Sequence, residues 1–343
     1  MNRKRLLLFP FVFVAFLLWG CETPRLDLSG AAATPIPVIT LQAEETPLLP
    51  TAELGRAENP IILALPPSAG ATPEQVNAAR EIAAQFTKRT GYVVVVVAPD
   101  SYAALVNAFE KGNAHIALLD PLAYALAHQR DLVRARFAIV REGKIAYGTQ
   151  FLARSRDGFV PYFDPPTGEN TADAFTALAQ FNGKKPCWSE ETSPSGHIIP
   201  LGLLNQARIQ TQTAAFAGSQ TTVVRSLYKG GICDFGATYV DARKFPSLED
   251  EMPDLLEQVH VIWRTPDLIP YEVLVFSTHL PEPMRDVFSN LIPAILQTDA
   301  GKAAFQTAYD IDEIRAANDG DFSEFRALVQ NAGLDVSALL NGR

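Results

Sequence analysis

The chain has 343 residues, of which 48% are apolar and 20% charged, and its formal net charge is −9. This length exceeds one ordinary hydrophobic core and suits two domains with appendages, and the composition excludes a fibrous or broadly disordered protein. The acidic balance argues against a nucleic-acid partner, because clustered Lys and Arg bind phosphate backbones, but it is compatible with a small anion in a locally favourable pocket.

The first twenty residues have the pattern of an export signal. Arg3, Lys4 and Arg5 precede the apolar run "LLLFPFVFVAFLLW", which is too short to span a bilayer comfortably. The run ends in "LLWGC", a lipobox pattern, so we predict cleavage after residue 20 and a lipid on Cys21 at the extracytoplasmic face of the cell membrane. The alternative is a transmembrane anchor that contains a cysteine. Residues 21–58 are rich in Pro, Thr and Ala and predict a flexible tether.

From residue 59 the sequence alternates strand-like and helix-like segments. "PIILALP" predicts a strand, and "TPEQVNAAREIAAQFTKRTG" predicts a helix with Thr72 as N-cap, Pro73 at its first position and Gly91 at its end. "YVVVVVAP" predicts a buried strand, followed by the helix "DSYAALVNAFEKGN", the strand "AHIALLD" and the helix "PLAYALAHQRDL". Continuous apolar strands between amphipathic helices predict a parallel sheet covered on both faces.

The alternation restarts in the second half of the chain. "RFAIVREGKIAYGTQFLARS" predicts two longer strands, and the strand-like "KKPCWS" and "ICDFGATYV" lie on either side of the helix-like "HIIPLGLLNQARI". Two α/β units joined by long strands imply a cleft, in which a ligand would bind beyond the carboxyl ends of strands.

Cysteine use agrees with export. Cys187 and Cys233 lie in strand-like runs, and they form either a disulfide or two buried thiols. No Cys or His spacing is typical of a metal site, so we expect neither a metal nor a cofactor.

The segment "ETSPSGHIIP" places hydroxyls and a glycine directly before a predicted helix. Ser193, Ser195 and Gly196 can join the free N–H groups and the positive end of the helix dipole to bind a tetrahedral oxyanion, although they also suit an ordinary capping motif. Ser195 and His197 are the most tempting nucleophile and base, but no nucleophile-elbow motif surrounds them. We therefore expect a protein that is not an enzyme.

Four blocks carry a resemblance to a known family. "SYAALVNAFEKGNAHIALLDPLAYALA", "GKKPCWSEETSPSGHIIPLGLL", "FAGSQTTVVRSLYKGGICDFGA" and "YDIDEIRAANDGDFSEFRALVQNAGL" occur in the order found in the phosphate, phosphite and phosphonate substrate-binding proteins of ABC importers. The resemblance covers residues 59–335. It implies the α/β periplasmic-binding-protein fold of type II, in which two crossing strands join two α/β domains around a ligand cleft. Domain I would comprise residues 59–149 plus 265–343, and domain II residues 150–264.

The function implied by the resemblance is that of an extracytoplasmic, lipid-anchored monomer. It would bind a phosphonate, phosphite or phosphate-like oxyanion by hinge closure and deliver it to an ABC permease. The alternative is a sensor or scaffold lipoprotein that retains the binding fold.

The resemblance also implies ligand-binding residues, with two departures from the family pattern. The family segment reads Ser-Thr-Ser-Gly and then an aromatic residue, whereas this chain has Pro194 and His197 at the Thr and aromatic positions. Gln220 stands where a histidine is usual, which removes a positive charge. Either the anion binds less tightly or His197 compensates, in which case binding would tighten below about pH 6.5.

The remaining candidates are aromatic and acidic. Tyr124 and Tyr147 match tyrosines that line the family's cleft, although each could be a core residue instead. Glu272 lies near a position where some relatives hold a substrate amine. Asp120 indicates either a zwitterionic ligand or an ordinary helix cap, and Asp234 is expected to have a structural hydrogen bond.

Overall fold

The computed structural model describes residues 52–67 and 71–341. The predicted signal peptide, Cys21 and most of the predicted tether lie outside these ranges. Residues 52–58, also assigned to the tether, contact the folded body, since Leu54 packs on the core and the Gly55 carbonyl accepts a hydrogen bond from Val93 N–H at 2.8 Å. Folded structure therefore begins before residue 59. In the described ranges, no helix is both long and apolar enough to cross a membrane.

The described residues form two main sheets and two short ribbons. The strands are β1 Ile61–Ala64, β2 Val94–Val97, β3 Ile116–Leu119, β4 Val133–Ile139, β5 Ala146–Tyr147, β6 Thr149–Arg154, β7 Phe163–Asp164, β8 Glu169–Asn170, β9 Pro186–Trp188, β10 Ala215–Phe216, β11 Phe235–Tyr239, β12 Val259–Arg264, β13 Ile269–Pro270, β14 Val273–Ser277 and β15 Ile314–Ala316. The helices are α1 Pro73–Thr90, α2 Tyr102–Glu110, α3 Pro121–Gln129, α4 Ala174–Leu178, α5 Ile199–Gln206, α6 Gln220–Lys229, α7 Pro246–Glu251, α8 Leu255–Gln258, α9 Glu282–Leu296, α10 Asp299–Tyr309, α11 Ser323–Asn331 and α12 Val336–Asn341.

The first sheet has the order β15-β4-β14-β3-β1-β2. The three strands that predicted a parallel sheet are confirmed as parallel, since β1 pairs in parallel with β2 and β3, but the complete sheet is mixed because β14 inserts antiparallel between β3 and β4. β2 was predicted as a buried strand. It is the edge strand, and its Val95 and Val97 are each 37% exposed because only β1 pairs with it.

The second sheet has the order β10-β9-β11-β6-β12, with β9 parallel to its two neighbours and β6 antiparallel to its own. A disulfide joins Cys187 in β9 to Cys233 near the start of β11. The chain passes between the two sheets at Gly148 and again at Thr265, and the Thr149 N–H donates to the Thr265 Oγ1 at 2.9 Å. Two α/β halves joined by two crossing segments form the type II architecture.

Local capping signals are confirmed at α1. Thr72 accepts a hydrogen bond from Gln75 N–H, the Gln75 side chain accepts one from Thr72 N–H, and Gly91 ends the helix with a φ of 76°. The helix predicted near His197 begins earlier, because a π-helical turn at Pro194–Ile198 precedes α5.

The helix α5 packs closely against α11. A Cβ on Gly202 would lie 2.1 Å from the Leu328 carbonyl oxygen, so only glycine permits this approach. The Asn205 Nδ2 donates to the carbonyl oxygens of Asn331 at 3.0 Å and Ala332 at 3.2 Å, which end α11. These contacts hold α5, which follows β9 in the chain, against α11.

We expect the disulfide to stabilise the fold measurably. The Cys187→Ala/Cys233→Ala variant should lose about 2–4 kcal/mol of unfolding free energy, because the bond restricts the unfolded chain across a long loop. Urea unfolding without reductant measures the difference. Reductant should reproduce the loss in the wild type and leave the variant unchanged, and equal stabilities without reductant would contradict the prediction.

Candidate ligand-binding site

A cleft of about 630 Å³ opens where strands of both sheets end. Asp120 follows β3, the segment of Ser193 and Ser195 follows β9, and Tyr239 ends β11, so the cleft lies beyond carboxyl ends of strands, as expected for α/β folds. The lining residues are Asp120, Pro121, Arg141, Glu142, Tyr147, Ser193, Pro194, Ser195, Gln220, Tyr239, Val240, Tyr271 and Glu272.

Three of the predicted site residues line one wall and a fourth supports it from behind, and we call Ser193, Ser195, Gly196 and Gln220 the serine seat. Gly196 lies directly behind the wall, and a Cβ there would be 2.0 Å from the Ser189 Oγ and 2.9 Å from the Gln220 Nε2. Glycine is therefore required for the close approach. Ser189, which no sequence motif indicated, is fully buried beneath the serine seat directly after β9.

The Gln220 side chain has one defined orientation. Its Oε1 accepts a hydrogen bond from Tyr239 N–H at 3.2 Å, so its Nε2 faces the serines. The Nε2 lies 2.9 Å from the Ser193 Oγ, 3.3 Å from the Ser189 Oγ and 3.4 Å from the Ser195 Oγ. The amide at this position thus acts as a hydrogen-bond donor to hydroxyl oxygens.

These contacts determine the role of the Ser193 hydroxyl. A hydroxyl has one donor hydrogen and two acceptor lone pairs. The Ser193 Oγ accepts from Gly196 N–H at 3.0 Å and from the Gln220 Nε2 at 2.9 Å, which uses both lone pairs. The group's remaining hydrogen-bonding capacity is its O–H, and this capacity suits an acceptor in the cleft.

Tyr147 adds a further hydroxyl beside the serine seat. Its side chain interacts with the Ser195 side chain, and its ring stacks on Tyr271 with centroids 5.3 Å apart. Burial raises the pKa of Tyr147 to about 12, so the phenol stays protonated at neutral pH. A protonated phenol can donate a hydrogen bond.

Four charged side chains also line the cleft, of which Asp120 and Glu272 were candidates from the sequence and Arg141 and Glu142 were not. The Arg141 Nη2 contacts both carboxylate oxygens of Glu272 at 3.2 Å, and its Nη1 contacts the Asp310 Oδ2 at 3.0 Å. Asp120 and Glu142 also line the cleft. "REGK" carried no signal of its own, because such a charged turn is usually only solvated. Among the described residues, no group of three or more His, Cys, Asp or Glu side chains could hold a metal ion.

Comparison with known proteins decides the family. A family model described as "ABC transporter, phosphonate, periplasmic substrate-binding protein" matches residues 68–322, about three quarters of the chain. The chain belongs to this family.

Individual relatives of this phosphonate-family protein are distant. It is 24% identical over 206 residues to the phosphate-import protein PhnD of Mycolicibacterium smegmatis, an alignment that covers 56% of this chain and 59% of that protein. The chain thus spans about three fifths of the length of this curated relative. Solved structures of XAC2383 from Xanthomonas citri, one bound to chloride and one to ATP, share the fold with a TM-score of 0.58 at 16% identity, over 80% of this chain and 98% of theirs.

Tyr124 does not belong to the cleft of this phosphonate-family protein, so its predicted role is wrong. It is fully buried, its hydroxyl donates to the Asp319 Oδ1 at 2.9 Å, and the Arg326 Nη1 donates to the same hydroxyl at 2.7 Å. The residue lies on α3, whose inward face points to the first core rather than to the cleft. Asp234 does have a structural bond, because its Oδ2 accepts from Lys185 N–H at 2.7 Å.

His197 is also misassigned. Its ring is buried between Trp188 and Phe216, and its Nδ1–H donates to the Glu191 carbonyl oxygen at 2.8 Å. Burial lowers the pKa of His197, so the ring carries no charge at neutral pH. It does not replace the charge lost at Gln220, and it forms no nucleophile–base pair with Ser195.

A charged cluster lies behind the wall at Val240. Asp241 accepts hydrogen bonds from Gln150, Arg243 and Arg264. Burial alone would raise the pKa of Asp241, but hydrogen bonds and charge from the arginines outweigh it and lower the pKa to about 2. The Asp241 carboxylate therefore stays ionised at neutral pH.

We expect ligand affinity not to depend on the titration of His197. In His197→Asn, whose amide can keep the bond to Glu191, the dependence of methylphosphonate affinity on pH between 5.5 and 8 should match that of the wild type. Calorimetric titrations of both proteins across this range make the comparison, in which titration of the ligand itself cancels. Stronger binding at low pH in the wild type alone would restore a role for the ring.

Proposed function

We propose that the protein is the extracytoplasmic, lipid-anchored solute-binding component of an ABC importer. It binds a phosphonate, phosphite or phosphate-like oxyanion in the cleft, and residues 59–149 plus 265–343 close on residues 150–264 about the two crossing segments. Family membership supports the transport role. The observation that carries the ligand class is the Ser193 hydroxyl, which has only its O–H left to offer.

The groups of the serine seat favour an oxyanion that binds through uncharged donors, with no positively charged side chain in direct contact. The hydroxyls of Ser193, Ser195 and Tyr147 supply neutral donors within one wall, and the Gln220 amide, whose hydrogens point at the serine oxygens, fixes the orientation of the hydroxyls. Such donors, fixed before the ligand arrives, lose little freedom on binding. Hinge closure would then bury the anion in proportion to how much better the closed state binds it.

The acidic residues favour a ligand that also carries a positive charge. Asp120, Glu142 and Glu272 line the same cleft as the serine seat, and Arg141 is paired with Glu272. A purely anionic ligand would meet repulsion from this lining, whereas an ammonium group on the same molecule would be attracted to it. A zwitterion such as an aminoalkylphosphonate therefore suits the cleft better than a simple anion.

Removing the Ser195 hydroxyl should weaken binding. A hydrogen bond to a charged group contributes about 1.5–3 kcal/mol, so Ser195→Ala should lower oxyanion affinity about 10- to 150-fold. The matched control is Tyr124→Phe, which removes a buried hydroxyl that does not face the cleft and should leave the affinity unchanged.

The screen for this test is a thermal shift of residues 52–343 with phosphate, phosphite, methylphosphonate, 2-aminoethylphosphonate and sulfate, followed by calorimetry. A ligand at 100 times its dissociation constant adds about 2.7 kcal/mol to stability. If no oxyanion raises the melting temperature, the transport proposal fails and the result favours a sensor or scaffold lipoprotein that retains the binding fold.

The amine preference has its own test. We expect 2-aminoethylphosphonate to bind about fivefold or more tightly than ethylphosphonate, which has the same length and no amine. Asp120→Asn should reduce this advantage, because it removes the charge and keeps an oxygen for the cap on Ala123 N–H. Equal affinities of the two ligands for the wild type would rule out the zwitterion.

A further inference from the structure

The turn that carries the serine seat leaves the Ser195 and Gly196 carbonyls without their regular helical donors. In the π-helical turn, Ile199 N–H donates to the Pro194 carbonyl and is therefore not free for Ser195. The next backbone nitrogen belongs to Pro200, which has no N–H. The Ser195 carbonyl lies five residues before Pro200 and the Gly196 carbonyl four residues before it. Pro200 therefore cannot donate a hydrogen bond to either carbonyl.

Both carbonyls are satisfied from the second sheet. Ser189 N–H, directly after β9, donates to the Gly196 oxygen at 3.1 Å. The Thr149 Oγ1, at the start of β6, lies 2.5 Å from the Ser195 oxygen and 3.1 Å from the Thr238 oxygen. Since a hydroxyl has one hydrogen, the shorter contact to Ser195 is its principal bond.

Thr149 also holds one of the two crossings in place. Its N–H donates to the Thr265 Oγ1 at 2.9 Å, and its carbonyl accepts from Thr265 N–H at 2.9 Å. The residue is 0% exposed, so it lies behind the cleft wall and does not touch a ligand. One residue thus connects two places: its side chain bonds the serine seat, and its backbone bonds the point where the chain passes between the halves.

We propose that Thr149 is a positioning residue for the ligand site, and this inference rests on the proposed function of the cleft. The Thr149 hydroxyl donates to the Ser195 carbonyl, which Pro200 cannot do because it has no N–H. This bond holds the Ser195 backbone in the position from which the Ser195 side chain can contact the ligand. Without that hydroxyl, the Ser195 carbonyl is left buried and unpaired, and the turn shifts to regain a partner.

The test compares Thr149→Val, which removes the hydroxyl with little change of shape, with Thr149→Ser, which keeps it. Ser277→Ala is the matched control, because the Ser277 hydroxyl is equally buried and bonds His279 N–H at the far end of β14. Two quantities are measured: amide hydrogen exchange of residues 189–199 without ligand, and affinity for phosphate and 2-aminoethylphosphonate by calorimetry.

We expect Thr149→Val to speed exchange in residues 189–199 and to lower affinity by about tenfold, the value of one lost hydrogen bond. Thr149→Ser should restore both, and Ser277→Ala should change neither. In a Pro200→Ala background the helix regains an N–H, so the effect of Thr149→Val should shrink. The same background provides the comparison if Thr149→Val alone does not fold.

Several results would overturn the inference. These are wild-type exchange in Thr149→Val, faster exchange with unchanged affinity, an equal loss in Thr149→Ser, or an equal loss in Ser277→Ala. If the wild type binds neither probe, the proposed function fails, and the exchange data still decide whether Thr149 holds the serine seat.

Discussion

The hydrogen bonds received by the Ser193 oxygen are the constraint on which the cleft depends. Gly196 N–H and the Gln220 amide both donate to it, so the hydroxyl can act only as a donor toward a ligand. This arrangement needs Gly196 to approach Ser189 without a Cβ, and it needs Tyr239 N–H to orient the Gln220 amide. The end of β9, the start of α6 and the end of β11 must therefore lie together at the serine seat. The pairing of β9 with β11 in the second sheet brings them there.

Charge in the cleft is distributed differently from what the Gln220 substitution suggests. The ring of His197 is neutral and faces aromatic side chains, so the serine seat has only uncharged donors. The cation in the lining is Arg141, and its guanidinium already bridges Glu272 and Asp310. In the proposed function, an anion would therefore be recognised by directed hydrogen bonds, and the carboxylates would act on the rest of the ligand.

Sequence patterns predicted elements and caps well because these depend on local interactions. The Thr72 cap, the Gly91 stop and the strands beside Cys187 and Tyr147 follow from residues close in the chain. The antiparallel insertion of β14 was not predictable in this way, since it pairs residues about 150 positions apart.

Side-chain direction limited the prediction of the site. Tyr124 and His197 have the residue types expected in a cleft, yet the faces of α3 and of the π-helical turn point them into cores. Arg141 and Tyr271 enter the lining through a turn and a short ribbon whose sequences carry no signal. The serine seat was predictable because its hydroxyls and glycine lie together in the sequence, before a helix.

The contact between Gly202 and Leu328 connects the helix that follows the serine seat with α11. The helix α5 packs against α11 with no room for a methyl group at Gly202. The Asn205 side chain also donates hydrogen bonds to the last carbonyl groups of α11. Residues 328–332 are therefore part of the support of the serine seat. Replacement, fusion or truncation there acts on the geometry of a pocket formed largely by residues more than a hundred positions earlier.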